Sequence, residues 1–421
     1  MKWELNMLNK NNERELCYVV IVDSITPIEG YDRVELAHIG GWTVVVGKGE
    51  FKTGDPAIYF EIDSQLPEVE PFTNMSFLAQ KHYKIKTQKM CKSLSQGLLM
   101  SAANFGWTIA IENQDSSGDV CFIIDDKGER HYSGGESRFL TKQLNVTYAV
   151  AGDNIRKARS ADKYKLMAQR KGKLFAHQPF KWLMKRGWGR KMLFIFFGKK
   201  RDKRTSWPAW VVKTDEERIE NLPHLFNDKS EWIATEKIDG SSTTFTLKRG
   251  HWPFKDQFYV CSRNVVFDKP NQACYYDTNI YMEMAEKYDI FNKMIDLLHN
   301  RFRECEWITI QGECYGSKVQ NRDYHMNERN LMVFNFITSE EGRWNSVDMK
   351  NLLEKYYGIP CVPILNEHYV LPDTIDELRS YVDSDTSVID GDMREGIVFR
   401  SPDGTRSFKC VSPNYLIKYH Q

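Results

Sequence analysis

Between residues 232 and 247 the chain reads as two strands joined by a tight polar turn. Trp232-Ile233-Ala234 is a short apolar run, and Thr243-Thr244-Phe245-Thr246-Leu247 alternates like a half-buried strand. The turn between them includes Glu236-Lys237-Ile238-Asp239-Gly240-Ser241-Ser242. A lysine at the end of one strand, with a Gly-Ser turn behind it, points a single amine into a cleft and brings backbone N–H groups close to it. Asp239 follows Lys237 by two, so an extended chain aims both side chains the same way. Alone, Lys-x-Asp-Gly is a weak signal, met by chance in roughly one chain of this length in ten. Its weight depends on what the other residues supply.

With 421 residues the chain has room for two to three domains with real cores. Its nine cysteines are scattered, odd in number and without a Cys-x-x-Cys pair. That pattern argues against a disulfide framework or a zinc site and fits reduced thiols in an intracellular compartment, cytoplasm or nucleus. The N-terminus has no apolar stretch of the signal-peptide kind, and the most apolar run, Met192 to Phe197, is far too short to span a bilayer. A soluble monomer is expected. Formal net charge is only +1, yet residues 156–204 carry eighteen lysines and arginines against two aspartates.

Residues 15–110 read as short strands at close spacing: Cys17–Val22, Trp42–Val46, Ala57–Asp63 and Gln96–Met100, the third entered through Thr53-Gly54-Asp55-Pro56. Such spacing implies a small β-barrel. An OB-type barrel leads, because such barrels lie along nucleic-acid backbones, and an SH3-like barrel stays open. The stretch 111–150 is mixed and polar and yields no assignment. The basic island 156–204 interleaves Phe175, Phe180, Trp182, Trp188 and Phe194 with its cations, a pattern suited to phosphates and bases. A solvated helical linker and a membrane-surface helix are the other readings.

From Trp207 onward strands and helices mix. Ile280, Met284, Tyr288, Phe291, Met294 and Leu298 recur at helical spacing and predict one amphipathic helix. Trp307–Glu313, Leu331–Ile337, Gly396–Arg400 and Ser407–Val411 read as strands, Ser346–Tyr357 as a helix closed by Gly358. Thr374 with Glu377 forms a capping box. The class is α+β on antiparallel sheet, divided as a barrel domain 1–110, a connecting region 111–204 and a second domain 205–421.

Covalent chemistry by a lysine on a nucleotide needs an amine that can lose its proton, carboxylates for a metal ion, an aromatic face for the base and cations for the phosphates. Candidates stand at strand ends: Arg263 in Ser262-Arg263-Asn264, Glu313 in Gln311-Gly312-Glu313, Phe334 and Phe336 on one strand face, Glu395 in Arg394-Glu395-Gly396, and Lys409 in Ser407-Phe408-Lys409. Each alone has a plainer explanation: core aromatics, surface ion pairs, or, for Cys314 and Cys410, small strand hydrophobes.

Together and in this order, the six segments resemble the collinear motifs of covalent nucleotidyltransferases, the ATP-dependent RNA and DNA ligases and the capping guanylyltransferases. The run Lys213-Thr214-Asp215-Glu216-Glu217-Arg218-Ile219-Glu220-Asn221 and the N-terminal run Gly41-Trp42 to Pro67 look most like the Deinococcus-type RNA ligases, which place an OB domain before an ATP-grasp-like ligase domain. The resemblance covers about residues 15–105 and 205–421 and leaves out the basic island. It implies that Lys237 takes AMP from ATP. It further implies a nucleotide-binding set of Glu236, Lys237, Arg263, Glu313, Phe334 and Lys409. In that set Glu313 meets the ribose, Phe334 the adenine and Lys409 the α-phosphate, while Arg263 meets the nucleotide or the 3′-OH end. Asp239, Glu313 and Glu395 would hold Mg2+ or Mn2+, in part through its waters. Many relatives carry a second lysine two residues after the last-motif lysine; here that position is Val411, and Lys418 is a doubtful substitute.

DNA ligases and capping enzymes carry an OB domain after the last motif, whereas only twelve residues follow Lys409. The expectation is therefore an RNA ligase that seals 3′-OH/5′-phosphate breaks in a nicked RNA or RNA/DNA duplex, gripped by the barrel and the island. A GTP-using guanylyltransferase, or a nucleic-acid-binding protein with a decayed ligase domain, are the rivals.

Overall fold

The computed structural model describes residues 15–419 apart from 115–117, 126, 132–138, 149–176, 187, 190–191, 194–206, 212–213, 264, 268–273 and 275. Most of the basic island therefore lies outside the described residues. Within it, the helix Gln178–Met184 carries Trp182, whose ring meets Trp188 edge-on at 6.2 Å and lies under the Arg186 guanidinium at 3.8 Å.

The first strands close into a barrel-like body. Cys17–Ile21, Pro56–Phe60 and Leu98–Met100 form one antiparallel sheet, and Ser24–Ile28, Tyr31–Ile39 and Trp42–Gly47 form another. Cys17-Tyr18-Val19-Val20 is apolar on both faces and is buried on both. Tyr18 and Val20 join Trp42, Val44 and Tyr59 in one cluster, while Cys17 and Val19 join Ile58, Phe60 and Phe72 in a second. The expected strand Gln96–Met100 is split, into Ser93–Gln96 and Leu98–Met100. Gly97 between them has φ +106°, and a Cβ there would come within 2.4 Å of the Tyr59 ring. Residues 108–131, unassigned from sequence, form a three-stranded sheet of Thr108–Gln114, Gly118–Ile124 and Arg130–His131.

Two larger sheets carry the rest. A six-stranded antiparallel sheet runs Val266–Phe267, Gln257–Ser262, Ser241–Lys248, Trp307–Gly316, Arg329–Thr338, Gly342–Arg343. A five-stranded sheet runs Glu217–Arg218, Ser407–Val411, Gly396–Arg400, Glu231–Lys237, Ile364–Val370. One face of the first sheet packs on helices through Phe245, Ile308, Ile310, Phe336, Met284 and Met294. The single helix expected over 280–298 is two, Ile280–Lys287 and Ile290–Asp296, because Asp289 adopts φ +50° and ends the first. The capping box at Thr374 and Glu377 is present and starts the helix Ile375–Asp383.

The run Glu217–Asn221 joins the barrel to the two-sheet body. Trp42 Nε1 donates to Asn221 Oδ1 at 2.6 Å, and Gly41 N–H to the Glu220 carbonyl at 2.8 Å. Arg379 donates to the Gly41 carbonyl, Gln96 Oε1 and Glu220 Oε1 at 3.0, 3.0 and 3.2 Å. No helix among the described residues is long and apolar enough to cross a membrane.

Candidate active site

Lys237 ends the strand Glu231–Lys237, directly opposite Gly396 of the neighbouring strand. Residue 395, just beyond that pair, is thereby set beside the amine. Glu395 Oε1 and Oε2 both accept from Lys237 Nζ at 2.7 Å. The lysine side chain is 25% exposed and the glutamate 9%, so the pair is largely but not fully withdrawn from water. Gly240 is required by the turn: a Cβ there would lie 2.3 Å from the Cys314 carbonyl oxygen and 2.9 Å from Glu313 Cγ. The close approach brings the two sheets together at this point, with the lysine from one and Glu313 from the other.

The charges do not balance. Burial pulls the Lys237 ammonium down, but Glu395, Glu313 and Asp239 outweigh it and hold its proton above the usual lysine value. Burial, aided by Glu395 and Asp239 and opposed by Lys237, pushes Glu313 up to about 8. Three carboxylates thus crowd one ammonium, and a divalent cation would relieve them. Among the described residues, no three His, Cys, Asp or Glu side chains converge closely enough to hold such an ion by themselves. Asp239, Glu313 and Glu395 offer hard oxygen donors, the kind that Mg2+ or Mn2+ takes alongside water and phosphate.

Asp239 is held from both ends. Its N–H donates to the Tyr324 hydroxyl at 2.7 Å, and Tyr415 O–H donates to its Oδ2 at 2.8 Å. Neither tyrosine announces itself in the sequence, because a lone tyrosine in a short strand-end loop or a terminal helix has no motif to mark it.

Phe334 and Phe336 were expected on one face, and the structure separates them. Gly312 pairs with Val333 while Gln311 pairs with Asn335, so Phe334 is the extra residue of a bulge. Leu331, Val333 and Phe336 face the helical core, whereas Met332 and Phe334 pack beside Ile238, Tyr315 and Tyr324 on the lysine side. Lys409 pairs with Val398, which pairs with Thr235, so it lies on the same sheet face as Lys237, two strands away. The opposite face carries Phe399, Phe408 and Cys410 in the core.

Glu236 lies on the other face of its strand. Adjacent to Lys237 on a pleated strand, it points the other way, and its Oε2 accepts from Val388 N–H at 2.9 Å in a setting 2% exposed. The structure does not bring its carboxylate to the amine. Arg263 is 46% exposed and pairs with Asp215, a partner the sequence did not single out, while lying near enough to Glu313 to favour its charge. Its guanidinium also lies 5.2 Å from the Tyr148 ring of the barrel side. Val411 is 3% exposed and packs into the barrel cluster with Trp42 and Tyr59, so a lysine there would be buried among hydrocarbon. Lys418 pairs with Asp392 at 3.1 Å and is thereby engaged away from the amine. A separate cavity of about 500 Å³, lined by Arg301, Arg343, Trp344 and Asp403, shares no residue with this site.

Comparison with known proteins agrees with this geometry. Residues 230–420 match the family model of RNA ligase, and residues 16–102 match that of an OB-fold domain. Among curated proteins none matches the chain. Solved structures of Naegleria gruberi RNA ligase superpose over nearly the whole chain. The form with PPi has a TM-score of 0.65 at 22% identity, covering 96% of this chain and 98% of that one. A mutant form with ATP and Mn has a TM-score of 0.67 at 23% identity, covering 97% and 100%. The fold is therefore α+β with antiparallel sheets, an OB-fold domain followed by a domain folded like the RNA ligase structures.

Proposed function

We propose that this chain is an ATP-dependent RNA ligase that joins a 3′-OH to a 5′-phosphate through a lysyl-AMP intermediate. The observation that carries the reading is the Lys237 amine, set between Glu395, Glu313 and Asp239 in a stretch matched to RNA ligases. The working units are taken as the barrel 1–110, the connection 111–204 and the ligase domain 205–421. The barrel in front of the ligase domain favours the Deinococcus-type branch.

In the first step Lys237 Nζ bonds to the α-phosphorus of ATP, the bond from that phosphorus to its bridging oxygen breaks, and pyrophosphate leaves. The amine must first lose its proton, and Glu395 at 2.7 Å is the acceptor in reach. A 5′-phosphate oxygen of the nucleic acid then attacks the same phosphorus, freeing the lysine. Last, the 3′-OH oxygen attacks the activated 5′-phosphorus and AMP departs. Phe334 offers its ring to adenine, Lys409 its charge to the α-phosphate, and Arg263 its guanidinium to the nucleotide or the 3′ end. Asp239, Glu313 and Glu395 would hold Mg2+ or Mn2+. When bound, that cation offsets phosphate charge and lowers the proton affinity of the amine.

The acceptor is proposed to be a nicked duplex with RNA on the 3′-OH side, bound by the barrel and by residues 156–204. The test is sealing of nicked duplexes that differ only in RNA or DNA on each side of the nick, with ATP or GTP supplied. Sealing with ATP that requires ribose at the 3′-OH end is expected. Covalent transfer from GTP without sealing would mean a guanylyltransferase, and nick binding with neither reaction would mean a decayed enzyme.

A further inference from the structure

The helix Pro413–Tyr419 touches both the barrel and the site. On one side Leu416, with Val411 just before the helix, belongs to the buried cluster of Trp42, Val44 and Tyr59, and the helix packs against the barrel strand Thr87–Met90. On the other side the fully buried Tyr415 donates to Asp239 Oδ2 at 2.8 Å. The helix is also fixed at its root. Ser412 N–H donates to the Glu395 carbonyl at 2.9 Å, and Tyr415 N–H donates to Ser412 Oγ at 3.0 Å.

Beneath the two tyrosines that hold Asp239 lies one cation. The Arg322 guanidinium is 4.0 Å from the Tyr324 ring centroid and 5.5 Å from that of Tyr415, and its Nη2 donates to Asp390 Oδ1 and Oδ2 at 2.6 and 2.7 Å. Arg322 and Asp390 side chains are each 3% exposed. The rings are thus backed by a rigid, paired group, and rotation of either hydroxyl away from Asp239 would break stacking as well as a hydrogen bond.

We propose that Tyr415 is a positioning residue that sets the Asp239 carboxylate for a divalent cation, and that the seat of its helix on the barrel maintains that setting. The barrel, besides holding nucleic acid, would then contribute to the first chemical step through this helix. The inference rests on the ligase reading for its consequence, lysine adenylation, but not for its direct observable, cation affinity. Outer hydrogen-bond partners of metal-holding carboxylates change metal affinity by about 10- to 100-fold when removed.

The test uses the full chain with a non-hydrolysable ATP analogue, Mn2+ being titrated and followed by electron paramagnetic resonance, with no turnover. Tyr415→Phe keeps the ring and removes the hydroxyl; its Kd for Mn2+ should rise about tenfold. Leu416→Ala, which loosens the helix from the barrel, should move Kd in the same direction. Tyr419→Phe, on the same helix but bonded to Asp392, should bind as the unmodified chain does. In parallel, the Mn2+ concentration for half-maximal lysyl-AMP formation should shift with Kd. Unchanged Mn2+ affinity in Tyr415→Phe would overturn the proposal, as would an equal loss in Tyr419→Phe. If the unmodified chain forms no lysyl-AMP, the ligase reading fails, while a tenfold difference in Mn2+ affinity still upholds the role of Tyr415.

Discussion

Glu216 and Glu313 are two carboxylates of one domain, both largely withdrawn from water, with opposite fates. Burial would raise both. Around Glu216, however, stand Arg400 and Arg343, and Ser407 donates to it, so its proton is held below the usual carboxylate value. Around Glu313 stand Glu395 and Asp239 with Lys237 as the near cation, and it is pushed up to about 8. The first neighbourhood neutralises its carboxylate. The second meets its crowding by holding a proton on Glu313 near neutral pH, and a substrate-borne cation would favour its release. Balanced burial marks a structural joint here, and unbalanced burial marks the place where something else binds.

That contrast can be broken by substitution. Glu216→Ala leaves Arg400 and Arg343 withdrawn from water without their carboxylate, and should destabilise the fold by about 3–5 kcal/mol in denaturant titration. A loss below 1 kcal/mol would mean that the joint is not structural. Glu313→Gln should do the reverse: lysyl-AMP formation falls on the order of 100-fold while the denaturation midpoint stays or rises, because a neutral amide replaces a carboxyl whose ionisation its surroundings oppose. A large stability loss in Glu313→Gln would erase the distinction.

A smaller effect tests the neutral seam to the barrel. Trp42→Phe removes the donor to Asn221 Oδ1 inside a buried interface and should cost about 1–3 kcal/mol of stability without changing the charge of the site.

The pH dependence sharpens the same comparison. A carboxyl held below its unfolded value, such as Glu216, stabilises the fold above the unfolded value, and this is lost as pH falls through the folded value. A carboxyl raised to about 8, such as Glu313, binds its proton better in the folded state. Its contribution is present at acid pH and fades as pH rises from the ordinary carboxylate range towards 8. Stability of Glu313→Gln should therefore fall less than that of the unmodified chain between pH 5 and about 8. Identical slopes would contradict the shift.

Much of this was legible in the chain because the chemical residues sit at strand ends, where short-range pattern is strongest. Lys237, Glu313, Glu395 and Lys409 are all found on strands or strand ends, and the capping box at Thr374 is where residue type alone puts it. What residue type could not disclose was phase and partner. A one-residue bulge moved Phe334 across its sheet from Phe336, and a left-handed Asp289 cut one expected helix into two. Strand pleating turned Glu236 away from the amine its neighbour presents. The strand Tyr31–Ile39 escaped notice because Asp32, Arg33 and Glu35 face water and leave no apolar run. The seam between the barrel and the two-sheet body pairs Trp42 with Asn221 across 179 positions, a separation at which local pattern is silent. Val411 shows the gain from structure: the absent second lysine is accounted for by the barrel that covers it.

The central claim is that the Lys237 amine carries AMP. Incubation with ATP and Mn2+, followed by peptide mass analysis, tests it most directly. The account predicts an adenylyl adduct on the peptide containing Lys237, sensitive to acid as a phosphoramidate and absent in Lys237→Ala. An unmodified Lys237 peptide, or an adduct that persists in Lys237→Ala, would contradict it.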